Sequence, residues 1–276
     1  PWSLMFYEKF CNRPATQVFY IDQNAKVWDF KTLKSQQLAF DMNTQFRLHG
    51  NPLTQYRDLT YFNEKDFKLI TEIEELRVFN YVDFNKLTTE FEEKPNITHC
   101  KLASGSFLIW SKTEKSFEIG LASKSQGKTV KLFSPHIRLI LLNAGWLELK
   151  VAKILSQWDK VKEIRLNCIF PTKENSPKNE IDIIADIGSK LLFVECKTQI
   201  KKETDIDKFA SAVRNYGGMA AKAILITHSV LNPKAIEKCN DNGILYFSLN
   251  QDTTLFPVEK MLISLLESEL LNINPK

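Results

Sequence analysis

The chain has 276 residues, 43% hydrophobic and 25% charged, a balance that excludes a disordered or fibrous protein and leaves room for one large or two to three small domains. Its net charge is only +4, which excludes a uniformly basic polyelectrolyte, so any nucleic-acid-binding surface must be local. Five scattered cysteines without a C-x-x-C pair exclude a zinc knuckle or disulfide framework and fit a reducing cytoplasm, and no apolar run approaches the length of a membrane-spanning helix.

Taken in order, Trp2 to Phe10 has helical spacing and is broken by Asn12-Arg13-Pro14. The chain opens inside this helix on Pro1-Trp2, without a Met, so a missing N-terminal part is expected. Gln17 to Ile21 reads as an apolar strand of a buried parallel sheet, and Val27 to Phe30 as another short strand. A helix followed by a buried strand is how an α/β domain ends. Residues 35–62 show no clear pattern. Asn63 caps a helix running through Phe67, Ile70, Ile73, Leu76 and Val78, and a second helix over 82–91 stops before Pro95. Short strands follow at 106–110, 116–122 and 129–133, the last two around the polar loop Ser123–Gly127. Two helices and a hairpin with a polar loop resemble a winged helix. Lys124 and Lys128, with Lys112, Lys115 and Lys131, decorate this hairpin. They either meet a nucleic-acid backbone or simply solvate the surface.

Residues 136–142 and 145–158 are helical, with a break at Asn143-Ala144-Gly145. In the second part Leu147, Val151, Ile154, Leu155 and Trp158 form one apolar stripe, and Glu148 borders it. A glutamate there either reaches out to water or is held by a partner or ligand. A strand over Glu163–Phe170 and a polar loop to Asn179 precede two β-rich runs, Glu180–Ile187 and Lys190–Lys197, separated by Gly188-Ser189. Beyond them come a helix over 205–216 stopped by Gly217-Gly218, a strand over 223–227, a helix begun by Asn232-Pro233, a strand over 244–247 and a helix over 258–271. From Gly145 the order is α-β-β-β-α-β-α-β-α, which predicts a mixed sheet with helices on its faces.

A two-residue Gly-X loop predicts a tight hairpin and fixes its register. Residues equidistant from the turn then face each other: Asp182 with Glu195, and Glu180 with Lys197. Side chains alternate along a strand, so these four share one face, together with Ile184 and Phe193. Ile181, Ile183, Ala185, Leu192, Val194 and Cys196 are assigned to the other. Directly opposed side chains have Cβ atoms about 5 Å apart, where two carboxylates repel unless something positive lies between them. A carboxylate pair at that spacing with a lysine beside it suits a hard divalent cation. The alternative is an ordinary solvated face.

The pattern of Asp182, then Glu195-Cys196-Lys197 on the next strand, resembles the PD-(D/E)xK nuclease superfamily. With Gly145-Trp146-Leu147-Glu148 opening a helix, Asn179-Glu180-Ile181-Asp182, Thr198 and Gly217-Gly218, residues 136–250 resemble the nuclease domain of the CRISPR ancillary nucleases. In that family a CARF domain precedes the nuclease, sometimes through a winged-helix segment, and Val18–Asp22 looks like the end of such a CARF domain. The resemblance implies residues 1–35 as the end of a Rossmann-like CARF domain, 36–135 as a linker and winged-helix-like segment, and 136–276 as a restriction-endonuclease-like mixed sheet. It also implies catalytic roles for Glu148, Asp182, Glu195 and Lys197. Mg²⁺ or Mn²⁺ would be held by Asp182, Glu195, the Cys196 carbonyl and Glu148. Lys197 would activate the attacking water, and Glu180 would pair with Lys197 or add a carboxylate. Family members are homodimers that cleave single-stranded RNA or DNA when a cyclic oligoadenylate binds the CARF dimer. Two other readings stand beside this one: a restriction- or repair-type DNA endonuclease, and a nucleic-acid-binding protein with a degenerate site.

Overall fold

The computed structural model describes residues 19–21, 26–29, 32, 34–37, 41–48, 50–124, 126–171, 179–188, 190–218, 221–250 and 256–271. The helix expected over 2–10 lies outside them, as does most of the polar loop before Asn179.

Three short strands come first: β1 (Phe19–Ile21), β2 (Lys26–Asp29) and β3 (Ser35–Gln37). They pair antiparallel in the order β1-β2-β3, so β1 is not the parallel strand its apolar run suggested. Only four residues separate β1 from β2, and a connection that short can only return the chain antiparallel. Next, α1 (Met42–Leu48) is capped by Asp41, whose Oδ1 accepts from Asn43 N at 2.7 Å and Thr44 N at 3.1 Å. β4 (Gln55–Asp58) follows. Both elements fall in the stretch whose sequence shows no pattern.

The helical pair is α2 (Glu64–Phe79) and α3 (Tyr81–Glu93). Asn63 caps α2 in a reciprocal capping box: its side chain accepts from Asp66 N, and Asp66 Oδ2 accepts from Asn63 N at 2.8 Å. An antiparallel sheet of β5 (His99–Lys101), β6 (Phe107–Ser111), β7 (Ser116–Ala122) and β8 (Gly127–Phe133) completes this segment. The helix-helix-hairpin pattern is present as expected, with β5 as an additional edge strand.

The remaining elements are α4 (Ile137–Leu141), α5 (Gly145–Ser156), β9 (Glu163–Phe170), β10 (Asn179–Asp186), β11 (Leu191–Lys197), α6 (Thr204–Tyr216), β12 (Lys222–Thr227), α7 (Pro233–Asp241), β13 (Leu245–Ser248) and α8 (Val258–Leu271). They follow the predicted order. The mixed sheet has six strands, β13-β12-β11-β10-β9-β4: β11, β12 and β13 are parallel, and the rest antiparallel. Helices flank both faces, so the fold is the mixed α/β architecture expected from the sequence.

Two apolar layers hold it together. On one face Ile183, Val194, Ile224 and Ile226 pack with Leu147, Val151 and Leu155 of α5 and with Leu262 and Leu266 of α8. This layer runs without interruption into Ile73, Leu76, Phe91 and Phe117, so the helical pair and its sheet share a core with the six-stranded body. On the other face Phe193, Ile184 and Leu225 pack with Ile206 and Phe209 of α6, Ala235 and Cys239 of α7, and Met42 and Phe46 of α1. Phe46 is fully buried, edge-on to Phe170 at 5.1 Å, and burying such a ring contributes about 1.5–3 kcal/mol.

Ile181 corrects the predicted faces. It lies in the second layer, with Cys168 and Phe170, whereas Ile183 and Leu166 lie in the first. The β9–β10 ladder pairs Ile181 with Cys168 and Ile183 with Leu166 but skips the position between them, Asp182 and Asn167. Asn167 has φ 49°, in the left-handed region. That kink shifts the alternation of both strands by one residue.

Candidate active site

The hairpin turns where the two-residue loop requires. Ile187 N donates to Lys190 O at 3.0 Å, and Gly188 has φ 93°, a conformation a side chain resists. Ala185 pairs with Leu192, Ile184 with Phe193 and Ile183 with Val194, each equidistant from the turn as predicted. Beyond that point the side chain of Asp182 takes over from the backbone. Its Oδ2 accepts from Cys196 N at 2.7 Å, which holds the carboxylate against β11. Lys197 reaches back: its Nζ is 2.5 Å from Glu195 Oε1 and 4.0 Å from Asp182 Oδ2. Glu180 is exposed, and the lysine's ion pairs among the described residues go to Glu195 and Asp182 instead.

Glu148 arrives from α5, in the helix's first turn. The approach depends on the junction with α4. Asn143 and Ala144 have φ 52° and 61°, and a Cβ on Gly145 would stand 2.0 Å from Leu139 O. Only glycine lets the two helices come this close. Glu148 Oε2 accepts from Asn167 Nδ2 at 2.7 Å, and Asn167 Oδ1 accepts from Arg57 Nη1 at 3.0 Å. The left-handed kink of β9 thus delivers the side chain that grips Glu148, and Arg57 of β4 backs it. Asn167 and Arg57 were not legible as site residues. An asparagine inside an apolar strand was the one available signal.

Glu148, Asn167, Glu180, Asp182, Cys196 and Lys197 line one cavity of about 340 Å³. Glu195 does not line it but is ion-paired to Lys197, which does. Burial raises the pKa of Glu148 well above the carboxylate range, with Asp182 and Glu180 adding to the rise and the Asn167 hydrogen bond opposing it. Burial also raises Asp182, against the pull of Lys197 and the Cys196 N–H. Glu195 is pushed up to about 7, by burial first and then by Asp182. Burial disfavours the Lys197 ammonium, but Asp182 and Glu195 together outweigh it and keep the amine protonated.

Three half-buried carboxyls therefore share a single lysine, and the cluster is short of positive charge. Such hard oxygen donors fit a divalent cation of the Mg²⁺ or Mn²⁺ type. Among the described residues no three His, Cys, Asp or Glu side chains stand in a ready-made coordination arrangement. The reason is visible in the hydrogen bonds: the Lys197 ammonium occupies Glu195, and the Cys196 N–H occupies Asp182.

The lysines expected on the hairpin of the helical segment lie on it, away from the cavity. Lys124 and Lys128 flank the turn between β7 and β8, and neither lines the cavity. Lys128 is paired with Glu75 at 3.0 Å, and Lys131 with Glu114 at 2.6 Å. Gly217 and Gly218 do end α6 as expected: a Cβ on Gly217 would stand 2.4 Å from Ala221 Cβ, and Gly218 has φ 68°. Among the described residues no helix is long and apolar enough to cross a membrane.

Residues 136–253 match the family described as Card1-like, endonuclease domain. The matched stretch contains Glu148, Asp182, Glu195 and Lys197, so the predicted resemblance to the CRISPR ancillary nucleases holds over it. No curated protein sequence matches the chain. Among solved structures, protein VC1899 from Vibrio cholerae is 15% identical with a TM-score of 0.65, covering 96% of this chain and 73% of its own. Can2 from Sulfobacillus thermosulfidooxidans, in complex with cyclic tetra-adenylate, is 16% identical with a TM-score of 0.59, covering 97% and 71%. A type III CRISPR defence DNA nuclease activated by cyclic oligoadenylate is 15% identical with a TM-score of 0.51, covering 93% of this chain and 35% of its own.

Proposed function

We propose that the chain is a Mg²⁺- or Mn²⁺-dependent endonuclease of type III CRISPR defence. It cleaves single-stranded RNA or DNA in the cytoplasm, as a homodimer switched on by a cyclic oligoadenylate. The observation that carries this reading is the convergence of Glu148, Asp182 and Glu195, from three different elements, around the one lysine Lys197. The endonuclease family over residues 136–253 supports the reaction class. The cyclic tetra-adenylate bound to Can2 supports the activator. The free cysteines Cys100, Cys168, Cys196 and Cys239 support the compartment.

Asp182, Glu195, Glu148 and the Cys196 carbonyl would hold the cation. A bound divalent cation supplies Lewis-acid polarisation of a phosphoryl oxygen and lowers the pKa of a bound water. The protein's own groups do the rest. Asp182, which lines the cavity, is fixed by the Cys196 N–H at Oδ2 and keeps Oδ1 for the cation. Glu148, oriented by Asn167, accepts a proton or a water hydrogen bond at Oε1. Lys197 keeps its proton, orients the attacking water and stabilises charge developing on the phosphoryl oxygens. Glu180 stands at the exposed rim as an additional carboxylate.

The test is cleavage of labelled single-stranded RNA, single-stranded DNA and duplex DNA with Mn²⁺, Mg²⁺ or EDTA, each with and without cyclic tetra-adenylate. The expected result is metal-dependent cutting of single strands that rises with the activator and disappears in Asp182→Ala. Preference for duplex DNA with no activator response would instead favour a restriction- or repair-type enzyme. Cutting that survives Asp182→Ala would remove the site.

A further inference from the structure

Next to the catalytic cavity lies a larger one, about 460 Å³, lined by Arg57, Tyr61, His136 and Arg138. Leu139, Leu142 and Asn143 line both, so the two spaces share a wall. Three properties of this second cleft point to one class of ligand. It carries two arginines, and neither forms an ion pair among the described residues, unlike Arg165, which is paired with Glu163. Each arginine is nevertheless held in place by one hydrogen bond: Arg57 Nη1 to Asn167 Oδ1, and Arg138 Nη2 to Pro95 O at 2.9 Å. A guanidinium has five N–H donors, so each retains donors for an anion.

The cleft also exposes an aromatic platform. Tyr61 is 47% exposed although its ring is firmly seated. The His136 ring lies 4.3 Å from it at 36°, and the buried Phe62 meets it edge-on at 5.2 Å. The Arg57 guanidinium stands 5.6 Å from its centroid. His136 is itself anchored, with Nδ1 at 2.9 Å from the fully buried Asp66. The acid in the cleft, Glu92, is engaged: its Oε1 accepts from Asn143 N at 2.6 Å.

We propose that this cleft is a single-strand subsite of the nuclease: Tyr61 stacks on a nucleobase beside the scissile bond, and Arg57 and Arg138 meet the flanking phosphates. The proposal rests on the nuclease reading above and adds to it the path of the substrate. A seated ring with unpaired guanidinium groups beside it is the arrangement that takes a splayed base and its backbone without reading sequence. A duplex keeps its bases stacked on each other and offers none to Tyr61. Arg57 also touches Asn167, and through it Glu148, so a phosphate drawn to Arg57 lies one hydrogen-bonded residue from the catalytic carboxylate.

The test is fluorescence anisotropy of a labelled single strand of about 12 nucleotides, of unstructured sequence, with Ca²⁺ in place of Mn²⁺ so that binding is read without cleavage. Tyr61→Ala is expected to weaken binding by roughly 5- to 100-fold, the loss of one base–aromatic stack. Tyr61→Phe should restore it. Arg138→Ala should weaken binding and lower the salt slope by about 1. Affinity for a matched duplex should move by less than the single-strand affinity. Tyr61→Ala binding like the parent protein would overturn the subsite, and so would equal losses for single strand and duplex. Cleavage by the parent protein in Mn²⁺ with cyclic tetra-adenylate separates the two ideas. Cutting that persists with unchanged Tyr61→Ala binding removes only the subsite. A parent protein that neither binds nor cuts nucleic acid removes both.

Discussion

Asn167 Nδ2 stands 2.7 Å from Glu148 Oε2, joining a left-handed residue of a central strand to the first turn of the helix that covers it. The contact has two components, a backbone that must adopt φ 49° and a side chain that must donate. They can be separated. Asn167→Gly keeps the backbone free and removes the donor; it should fold normally yet lose cleavage by about 10- to 100-fold, the usual effect of removing a residue that orients a catalytic ligand. Asn167→Ala also removes the donor but keeps a Cβ at φ 49° without the local hydrogen bonding by which asparagine tolerates the left-handed region, so it should be less stable than Asn167→Gly by about 1–2 kcal/mol. Thermal melts and cleavage rates of the two variants, measured side by side, check both halves.

Glu148 is a charge the metal-free fold would rather not bury. Its carboxyl is raised by desolvation first and by Asp182 next. Glu148→Gln keeps the shape and an acceptor for Asn167 while removing the charge. It should therefore melt higher than the parent protein in EDTA, by roughly 2–4 °C for each kcal/mol relieved. The same variant should cleave at least about 100-fold more slowly. Unchanged stability in EDTA would mean that Glu148 already carries a proton at neutral pH.

The Glu195 carboxyl, pushed up to about 7 by burial and by Asp182, gives stability a specific pH dependence. Between the carboxyl's ordinary value and about 7, the folded state holds a proton that the unfolded chain has released. This contribution to stability is present at acid pH, falls as pH rises through that window, and is absent above it. Urea denaturation in EDTA should therefore show greater stability from this group at about pH 5.5 than at about pH 8.5. Saturating Mn²⁺ should flatten or reverse the trend, because a cation favours the ionised carboxylate.

Lys197 supplies the ammonium that Glu195 and Asp182 share. Lys197→Met leaves Glu195 and Asp182 without their ammonium partner. Turnover should stop, metal binding should persist, and the rise in melting temperature on adding Mn²⁺ should exceed that of the parent protein. Loss of Mn²⁺ binding in this variant, measured by calorimetry, would refute the role assigned to Lys197.

Gly145 is a steric requirement. An added Cβ would meet Leu139 O at 2.0 Å, so Gly145→Ala must push α5 away from α4. The expected cost is about 1–3 kcal/mol, with a parallel loss of activity because Glu148 moves with the helix. A melt that matches the parent protein would show that the junction has slack.

The parts of the site that were legible in the sequence are those set by local rules. Gly188-Ser189 fixes the hairpin register because a two-residue loop leaves no freedom. The pairing from Asp186–Leu191 to Ile183–Val194 then follows by counting, and it brings Asp182 and Glu195, the next residues along, onto neighbouring strands. Glu148 was legible because an acid bordering an apolar helical stripe breaks the 3.6-residue pattern. Asn63 and Asp66 marked the start of α2 for the same kind of reason, since capping is a contact between residues three apart. From such rules the α/β order and the opposed pair of Asp182 and Glu195 could be written down before any coordinates, and the place of Glu148 beside them was implied by the family resemblance.

What only the tertiary structure decided has no period and no short spacing. β4 joins the sheet from more than a hundred residues away in sequence, and Arg57 meets Asn167 at a separation of 110. The face of Ile181 turned on the kink at Asn167, a single backbone angle that strand alternation does not encode. The second cleft arises because Tyr61 and Arg57, from one side, and His136 and Arg138, from the other, are brought together by the shared core of Ile73, Leu147 and Ile183. Local patterns determined which groups could do chemistry. Non-local packing, driven by burial of apolar area that is indifferent to sequence distance, determined which of them meet.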